Sequence, residues 1–329
     1  MPRRRFLDYA REWLYGEEGY YVKAPAIGKR GDFFTSVSAT SFFGGAIANH
    51  LVGLIRRGDL KEESAVVEFG AHQGELLSDV AQFVYTLEPK LLKTLTFTIV
   101  EPIEALRRAQ EKHIRNGFGG ALRFRILPDL SSARSSSAFV YANELFDAFS
   151  FDLYNRGEIA YVENHSLVWQ KADAKAALKA DRLGVERGEI FDGFERFARA
   201  LSGAFDRCEA IIFDYGVFHP RDDFSARIYK EHKIYPLFSV ADLKPFYKNA
   251  DLTADVPFWH LLGAFKEAGF DGAVQEQNAA LIDMGLLDLL KLYEEKAGFE
   301  AYRRESGRVR TLLDPLLLGE RFKCCRFCR

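Results

Sequence analysis

AVVEFGAHQGELLSDVAQFVYTL, residues 65–87, decides the fold because it changes from a strand pattern to a helix pattern across a glycine-rich turn. Its first part is a short apolar run that ends at glycine, and its last part places apolar side chains three and four positions apart. The same order returns in residues 96–114, and further strand-like runs begin at residues 122, 138 and 209. Strands that alternate with helices of this length predict an α/β fold with a parallel sheet.

The rest of the chain predicts a preceding segment and an insertion. Residues 1–64 predict a helical and loop segment that packs on a core formed by residues 65–329. An inserted region at about 171–256 is expected to be helical at first, and residues 217–256 to be a long irregular loop, a candidate lid. Residues 155–158 predict the turn of a hairpin that adds antiparallel strands to the sheet.

Charge and hydropathy exclude two classes of partner. Lys plus Arg number 45 and Asp plus Glu number 47, a formal net charge of -2, so the basic footprint of a nucleic-acid binder is missing. No stretch approaches the roughly 20 apolar residues of a membrane-spanning helix. We therefore expect no nucleic acid, no membrane span and a cytoplasmic location, while the oligomeric state stays open.

The four cysteines do not have the spacing of a structural metal site. Cys208 stands alone, and the other three lie in FKCCRFC, residues 322–328, with no histidine or fourth cysteine at zinc spacing. We predict no metal, and a last β-strand whose thiols pack inside.

The turn after the first strand is the first candidate for ligand binding. Glu68, Gly70 and Gly74 lie where a strand passes to a helix, and glycines there let a ligand approach the backbone and the helix N-terminus. A mere tight turn is the alternative. Glu101 ends the second strand, where a carboxylate can accept both hydroxyls of a ribose, unless it is simply solvated. Asp129, after the third strand, is a weaker candidate for the adenine amine.

Polar residues also follow the later strands. Asn143, Glu144 and Asp147 come at and after the fourth strand, and Asp214 lies near the end of another. Carboxyl ends of strands form the ligand crevice of such a sheet, so these side chains are expected to border the reacting centre. The alternative is that Asn143 or Asp147 caps a helix.

The sequence resembles the MidA family along nearly its whole length. The matching segments are GYYVKAPAIGKRGDFFTS, VVEFGAHQGELL, IVEPIEALRRAQ, YANELFDAFSFDLY, IIFDYG, DLTADVPF and LLLGERFK. The resemblance implies a Rossmann-like class I methyltransferase core with an N-terminal helical segment and insertions, and S-adenosylmethionine as cofactor. It also implies a protein arginine as methyl acceptor. Because the family includes a mitochondrial complex I assembly factor with protein-arginine methyltransferase activity, a respiratory complex I subunit is one implied substrate.

An arginine acceptor needs negative charge in the site. Its guanidinium stays protonated in proteins, so carboxylates must orient it and hold its charge away from the attacking nitrogen. The candidates for this catalytic role are Glu144 and Asp147, with Asp214 third, and Asn143 is assigned with Glu68, Gly70, Gly74, Glu101 and Asp129 to the cofactor.

The chain departs from the family pattern at several places. The family's G-P-G-R-G reads Gly70-Ala71-His72-Gln73-Gly74, the glutamate and glutamine of T-S-P-E-I-S-Q are Ser38 and Ser41, and DLTAHVDF has Asp255 and Pro257 for histidine and aspartate. These departures leave open a catalytically weak or inactive homologue that serves as an assembly or binding module. A nucleotide-dependent oxidoreductase is the third alternative, but its G-x-G-x-x-G loop would need glycine at position 72.

Overall fold

The computed structural model describes residues 3–23 and 35–329. The helices are α1 (Phe6–Tyr15), α2 (Ser36–Ala39), α3 (Phe42–Arg56), α4 (Glu75–Leu87), α5 (Leu91–Thr94), α6 (Glu104–Phe118), α7 (Ala174–Leu183), α8 (Phe194–Ala204), α9 (Phe258–Glu267), α10 (Gln277–Asp283), α11 (Leu286–Ala297) and α12 (Phe299–Leu313). Short 3₁₀ turns cover Leu130–Ser132 and Leu237–Ser239, and a π turn covers Pro315–Gly319.

The strands are β1 (Arg4–Arg5), β2 (Ala65–Phe69), β3 (Thr96–Val100), β4 (Phe124–Leu127), β5 (Ala138–Asn143), β6 (Phe151–Asn155), β7 (Glu158–Glu163), β8 (Ser166–Lys171), β9 (Arg187–Phe191), β10 (Cys208–Val217), β11 (Arg227–Lys230), β12 (Lys233–Pro236), β13 (Asp251–Thr253), β14 (Val256–Pro257), β15 (Asp271–Glu276) and β16 (Phe322–Cys328).

Contacts along the chain group the residues into two compact units. One unit comprises residues 34–144, 198–215 and 265–329, and the other comprises 145–197 and 216–264 with the described part of residues 1–33. These units are defined by contacts between residues. The predicted division at residue 64 is defined by the sequence pattern, and it stays a prediction. None of the helices among the described residues has the length and apolar character needed to cross a membrane.

The first unit contains the predicted parallel sheet. Its strand order is β15-β16-β10-β5-β2-β3-β4, with β10, β5, β2, β3 and β4 parallel and β16 antiparallel to both of its neighbours, β10 and β15. All five residues of β2 are buried, as expected of a strand covered on both faces. From β2 the chain adds strands outward in one direction, and from β5 in the other. The carboxyl ends of β2 and β5 therefore flank the topological switch point, where such sheets bind ligands.

Two consecutive glycines allow the helices on one face of this sheet to pack closely. A Cβ built on Gly44 of α3 would lie 2.6 Å from the Cβ of Asp79 in α4, and one on Gly45 would lie 2.8 Å from the Phe83 ring. Neither distance is possible for a real side chain, so glycine sets the separation of α3 and α4. The Phe43 ring packs on Phe213 of β10, with 4.9 Å between ring centroids, which places the start of α3 over the sheet.

The last strand forms at the predicted residues. Strand β16 lies between β10 and β15, and Cys324 and Cys325 are buried within it. Cys328 is exposed, so the expected burial holds for two of the three thiols.

The second unit is built on an antiparallel sheet of order β1-β7-β6-β9, with β8 paired to β7. The predicted hairpin is confirmed: Asn155 pairs with Glu158, and Arg156 and Gly157 have positive φ, as a two-residue turn requires. The expectation that it extends the parallel sheet is wrong, because β6 and β7 pair with β9, β1 and β8 instead. Arg5 bonds both carboxylate oxygens of buried Asp152, which anchors β1 to the sheet.

The inserted region contains more strand than the sequence predicts. Strand β9, residues Arg187–Phe191, lies in a stretch expected to be helical, because its pairing with all five residues of β6 overrides local propensity. Residues 217–256 are not an irregular loop: β11 pairs with β12 and β13 in a three-stranded antiparallel sheet.

Candidate active site

The loop from β2 to α4 has an unusual backbone. Gly70, His72 and Gly74 all have positive φ, at 70°, 44° and 87°. Glycine adopts this region without steric cost, so the two glycines suit the loop and histidine is the exception. Gly74 is also the N-cap of α4 and offers no capping side chain, while the first-turn N–H of Leu77 already donates to the buried carboxyl of Glu68.

Glu101 follows β3 and is buried, so the alternative of a solvated carboxylate is wrong. Its Oε1 accepts a hydrogen bond from the Ile103 N–H at 2.8 Å, and its Oε2 lies 3.5 Å from Nε2 of Gln110. Burial raises the pKa of the Glu101 carboxyl above its ordinary value, while both hydrogen bonds act in the opposite sense by favouring the carboxylate. The side chain is thus held in one orientation at the end of β3.

Gln110 of α6 is a residue of this region that the sequence reasoning missed. It is fully buried, and its Nε2 donates to the backbone oxygen of His72 at 2.9 Å. Among the described residues, its Oε1 has no hydrogen-bond partner. The only signal in the sequence was its place as the last residue of IVEPIEALRRAQ.

Glu68 lies in the interior of the first unit. Its side chain accepts a hydrogen bond from the Tyr141 hydroxyl at 3.3 Å, across the β2–β5 pair. Burial raises the pKa of Glu68 to about 8, and the bond from Tyr141 opposes the shift. The assignment of Glu68 to the cofactor stays a prediction.

Asp129 is exposed and has a local structural role. Its side chain accepts the N–H of Ser131 at 2.7 Å and so caps the 3₁₀ turn of Leu130–Ser132. These hydrogen bonds lower the pKa of the carboxyl. Contact with an adenine amine stays a prediction for this residue.

Asn143 and Glu144 stand at the carboxyl end of β5. Asn143 Nδ2 donates to Glu144 Oε1 at 3.0 Å, and Asn143 Oδ1 is buried with no partner among the described residues. Glu144 has φ of 52°, and its N–H donates to the Phe213 oxygen of β10. No helix begins within residues 144–150, so the helix-capping alternative for Asn143 and Asp147 is wrong.

Asp214 lies inside β10 rather than at its end, because the strand continues to Val217. Its side chain is fully buried and accepts the N–H of Tyr215 at 3.0 Å, and its backbone position is opposite Lys323 of β16. Its catalytic role stays a prediction.

Asp147 belongs to the second unit and has buried polar neighbours there. Thr253 Oγ1 donates to Asp147 Oδ2 at 2.9 Å, and Asp251 is buried two residues before Thr253. Burial, and then the charge of Asp147, raise the pKa of Asp251 to about 7, while a hydrogen bond from Tyr21 opposes the shift. Asp251, Thr253 and Tyr21 were not predicted as site residues, although DLTADVPF and GYYVK contain them.

Comparisons with known proteins identify the family of the chain. The protein-family model Methyltransf_28, described as "Putative S-adenosyl-L-methionine-dependent methyltransferase", matches residues 46–274, well over half of the chain. The chain belongs to this family. It is the MidA-type family that the sequence resembles, and the oxidoreductase alternative is wrong.

Curated relatives match along almost the whole chain. The protein arginine methyltransferase NDUFAF7, mitochondrial, of Rattus norvegicus is 24% identical over 96% of this chain and 78% of its own length. The homologue of Drosophila melanogaster is 25% identical over 96% of this chain and 79% of its own.

A solved structure shares the fold. A protein of Burkholderia thailandensis bound to S-adenosyl-homocysteine has a TM-score of 0.80 at 22% identity, covering 99% of this chain and 88% of that one. The expected Rossmann-like methyltransferase fold is therefore confirmed. The protein is an S-adenosylmethionine-dependent methyltransferase.

The described residues fit the family's cofactor. The left-handed glycines let a ligand approach the backbone at the start of α4, and the buried carboxyl of Glu101 is an acceptor of the kind that binds ribose hydroxyls. The buried Oε1 of Gln110 and Oδ1 of Asn143, without partners among the described residues, are further acceptors. Glu101 follows β3, Asn143 ends β5 and Gln110 lies in α6, so these side chains come from elements near the switch point of the sheet.

Two departures from the family pattern have structural explanations. Ser38 forms a capping box with Thr35: each side chain accepts the other's backbone N–H, at 3.0 and 3.1 Å. Glutamate or glutamine is the usual residue at this third helical position of a capping box, so Ser38 makes here a contact that glutamate also can make. Asp255 pairs with Arg227 at 2.8 Å and with Arg221 at 3.1 Å.

Proposed function

We propose that this protein transfers a methyl group from S-adenosylmethionine to a guanidinium nitrogen of a protein arginine. The names of the NDUFAF7 relatives support an arginine acceptor. The observation that carries the proposal is Glu144. Its carboxylate is held by Asn143 at the carboxyl end of β5, on a backbone whose φ of 52° is unfavourable for glutamate. A residue kept in a strained conformation beside a ligand crevice suggests a functional role.

A carboxylate is what an arginine acceptor requires. The substrate guanidinium is charged, and bidentate pairing with Glu144 would orient it and draw its charge away from the attacking nitrogen. That nitrogen would bond to the methyl carbon as the carbon–sulfur bond breaks, the electron pair of the broken bond would stay on sulfur, and the nitrogen would pass one proton to the Glu144 carboxylate, from which it exchanges with solvent. The protein's contribution is to hold the reactants in line and exclude water.

Asp147 and Asp214 remain further candidates for the same role. Asp147 is buried beside Thr253 and Asp251, so a cation there would offset the repulsion between two buried carboxylates. Asp214 is fully buried and accepts a backbone N–H, which makes it the weaker candidate.

The direct test is to look for methylated arginine. Wild-type protein and Glu144→Gln are incubated with labelled S-adenosylmethionine and a lysate from cells that lack the protein, and methylated residues are mapped by mass spectrometry. A respiratory complex I subunit is the first substrate to examine. We expect arginine labelling by wild type and about 100-fold less or none by Glu144→Gln, with unchanged S-adenosylhomocysteine affinity, because Glu144 acts on the acceptor. Cell fractionation then tests the proposed cytoplasmic location.

A second variant separates catalysis from backbone strain. Glu144→Gly relieves the left-handed backbone and should change the free energy of unfolding by no more than about 1 kcal/mol, yet abolish transfer. The matched control is Glu231→Gly, at an exposed turn residue with φ of 51°, which should leave transfer unchanged. If wild type binds S-adenosylhomocysteine but labels no protein, the assembly-module alternative is favoured instead.

A further inference from the structure

The side chain of Gln110 lies between two parts of the cofactor site that come from different loops. Its Nε2 is 2.9 Å from the backbone oxygen of His72 in the glycine loop and 3.5 Å from Oε2 of Glu101. Both are acceptors, so the amide can only present its NH₂ group to them. The orientation of the side chain is therefore fixed by these two contacts.

Stability alone does not explain a glutamine at this position. Gln110 is fully buried, and within residues 3–23 and 35–329 its Oε1 accepts no hydrogen bond. A buried acceptor without a donor costs about 1 to 3 kcal/mol, a cost that methionine of similar size would avoid. The rest of α6 has an ordinary buried side, with Leu106 and Ile114.

We infer that Gln110 is a positioning residue of the S-adenosylmethionine site, which ties the backbone of the glycine loop at His72 to the carboxylate of Glu101. The glycine loop follows β2 and Glu101 follows β3, and the pairing of these two strands ends at Phe69 and Val100. It therefore does not reach the His72 backbone or the Glu101 side chain, and the connection between those two groups needs another contact. The Gln110 amide, presented from α6, supplies that connection. The inference concerns the cofactor alone and does not depend on the identity of the methyl acceptor.

The same contact affects the ionisation of Glu101. Burial raises the pKa of its carboxyl, and the hydrogen bonds from Ile103 and Gln110 and the charge of Arg107 lower it. Without Gln110 the carboxyl should accept a proton at higher pH, and a protonated carboxyl is a poorer acceptor for ribose hydroxyls. When the solution is acidified, a variant that lacks the Gln110 amide should therefore begin to lose cofactor affinity at a higher pH than wild type.

The test measures S-adenosylhomocysteine binding by calorimetry, which requires no turnover. Gln110→Met should weaken binding at pH 7.5 by about tenfold or more, the equivalent of one or two lost hydrogen bonds, and should shift the acid limb of the affinity profile to higher pH. Gln277→Met is the matched control. Gln277 is also fully buried in the same unit, and its Nε2 donates to the Leu312 oxygen at 3.3 Å.

Two results would overturn the inference. One is a Gln110→Met variant that loses thermal stability as Gln277→Met does and keeps wild-type affinity and pH profile. The other comes from Gln110→Glu, which keeps the size of the side chain but places a carboxyl near Glu101. Its affinity should be low at pH 8 and rise as the pH is lowered, when the first proton taken up by the two neighbouring carboxyls restores a donor, before it falls again as Glu101 itself is protonated. Affinity that does not rise on acidification from pH 8 would contradict the role. If Gln110→Met does not fold, the dependence of S-adenosylhomocysteine affinity on pH in Gln110→Glu tests the inference by itself.

Discussion

His72 shows how a single residue can hold a backbone that glycine would adopt more easily. Its φ is 44°, and the family pattern reads glycine at this position of the loop. A left-handed conformation costs an ordinary residue on the order of 1 kcal/mol, and less for histidine than for a β-branched residue. The loop geometry is thus compatible with the substitution, and this departure does not by itself remove the cofactor site.

Replacing His72 by glycine should be tolerated. We expect His72→Gly to bind S-adenosylhomocysteine at least as tightly as wild type, and its free energy of unfolding to change by less than about 1 kcal/mol, because relief of strain offsets the greater freedom of the unfolded chain. Calorimetry and urea unfolding measure the two quantities. His232→Gly is the control, at an exposed turn residue with φ of 62°. Affinity reduced more than about tenfold in His72→Gly alone would show that the imidazole serves the cofactor.

The sequence predicts some residues of the candidate site and not others. Gly70, Gly74 and Glu101 could be proposed because glycine and acidic residues at strand ends have a recognisable pattern. Gln110 has no such pattern, since one polar position in an amphipathic helix gives no sign of burial. Its role follows from the distance between α6 and the loop, which only the folded chain defines.

At the scale of elements, the contact between α3 and α4 depends on Gly44. A Cβ there would meet the Cβ of Asp79 at 2.6 Å and the backbone nitrogen of Val80 at 3.2 Å, and the backbone cannot easily give way. Gly53 lies in the same helix, but a Cβ there would meet only the end of the Arg57 side chain, at 3.2 Å.

Alanine should therefore change the free energy of unfolding in opposite directions at Gly44 and Gly53. Gly44→Ala should lower the free energy of unfolding by about 1 to 3 kcal/mol through overpacking. Gly53→Ala should raise it by up to about 1 kcal/mol, because alanine favours the helix and restricts the unfolded chain. Urea unfolding of both variants measures this difference. Equal effects of the two substitutions would mean that α3 can move away from α4 at little cost.

Elements were predictable where their pattern is local. The 65–87 stretch gave β2 and α4 with the observed ends of the helix, because a buried strand, a glycine turn and an amphipathic helix each have their own signal. Strand β9 was missed because its residues pair with β6, more than 30 positions earlier in the chain, and such pairing leaves no local signal. In the stretch predicted to be a loop, the pairing of β11 with β13 is also between distant residues, whereas β11 and β12 form a local hairpin with a two-residue turn that the prediction overlooked.

At the scale of the whole molecule, each compact unit is assembled from three separate stretches of chain. Periodicity describes one stretch at a time, so it cannot say which stretches group together. The parallel sheet was predictable because strands and helices alternate between residues 65 and 143, before the chain leaves that unit.

The molecule should lose stability as the pH rises above neutrality. Burial is the largest cause of raised pKa values in both units, to about 8 for Glu68 and about 7 for Asp79, Glu189 and Asp251. A carboxyl with a raised pKa in the folded state stabilises the fold fully below its unfolded pKa, and that contribution is lost as the pH rises through the folded pKa. Burial lowers the pKa of His260, which has the opposite effect, but only below its ordinary value near 6.5. Above pH 6.5 the buried carboxyls therefore determine that stability falls as the pH rises.

Glu68 should account for the largest share of this loss. Urea unfolding at pH 6.5 and pH 8 should show wild type losing on the order of 2 kcal/mol through Glu68 alone, at 1.36 kcal/mol per proton and pH unit. Glu68→Gln should remove that part, because the amide is neutral at every pH and its oxygen can still accept the Tyr141 hydroxyl proton. Glu63→Gln, at an exposed carboxyl, should keep the wild-type slope. If Glu68→Gln also keeps the wild-type slope of stability against pH, the Glu68 carboxyl is ionised in the folded protein at neutral pH. Its charge near the end of β2 would then be available to the cofactor site.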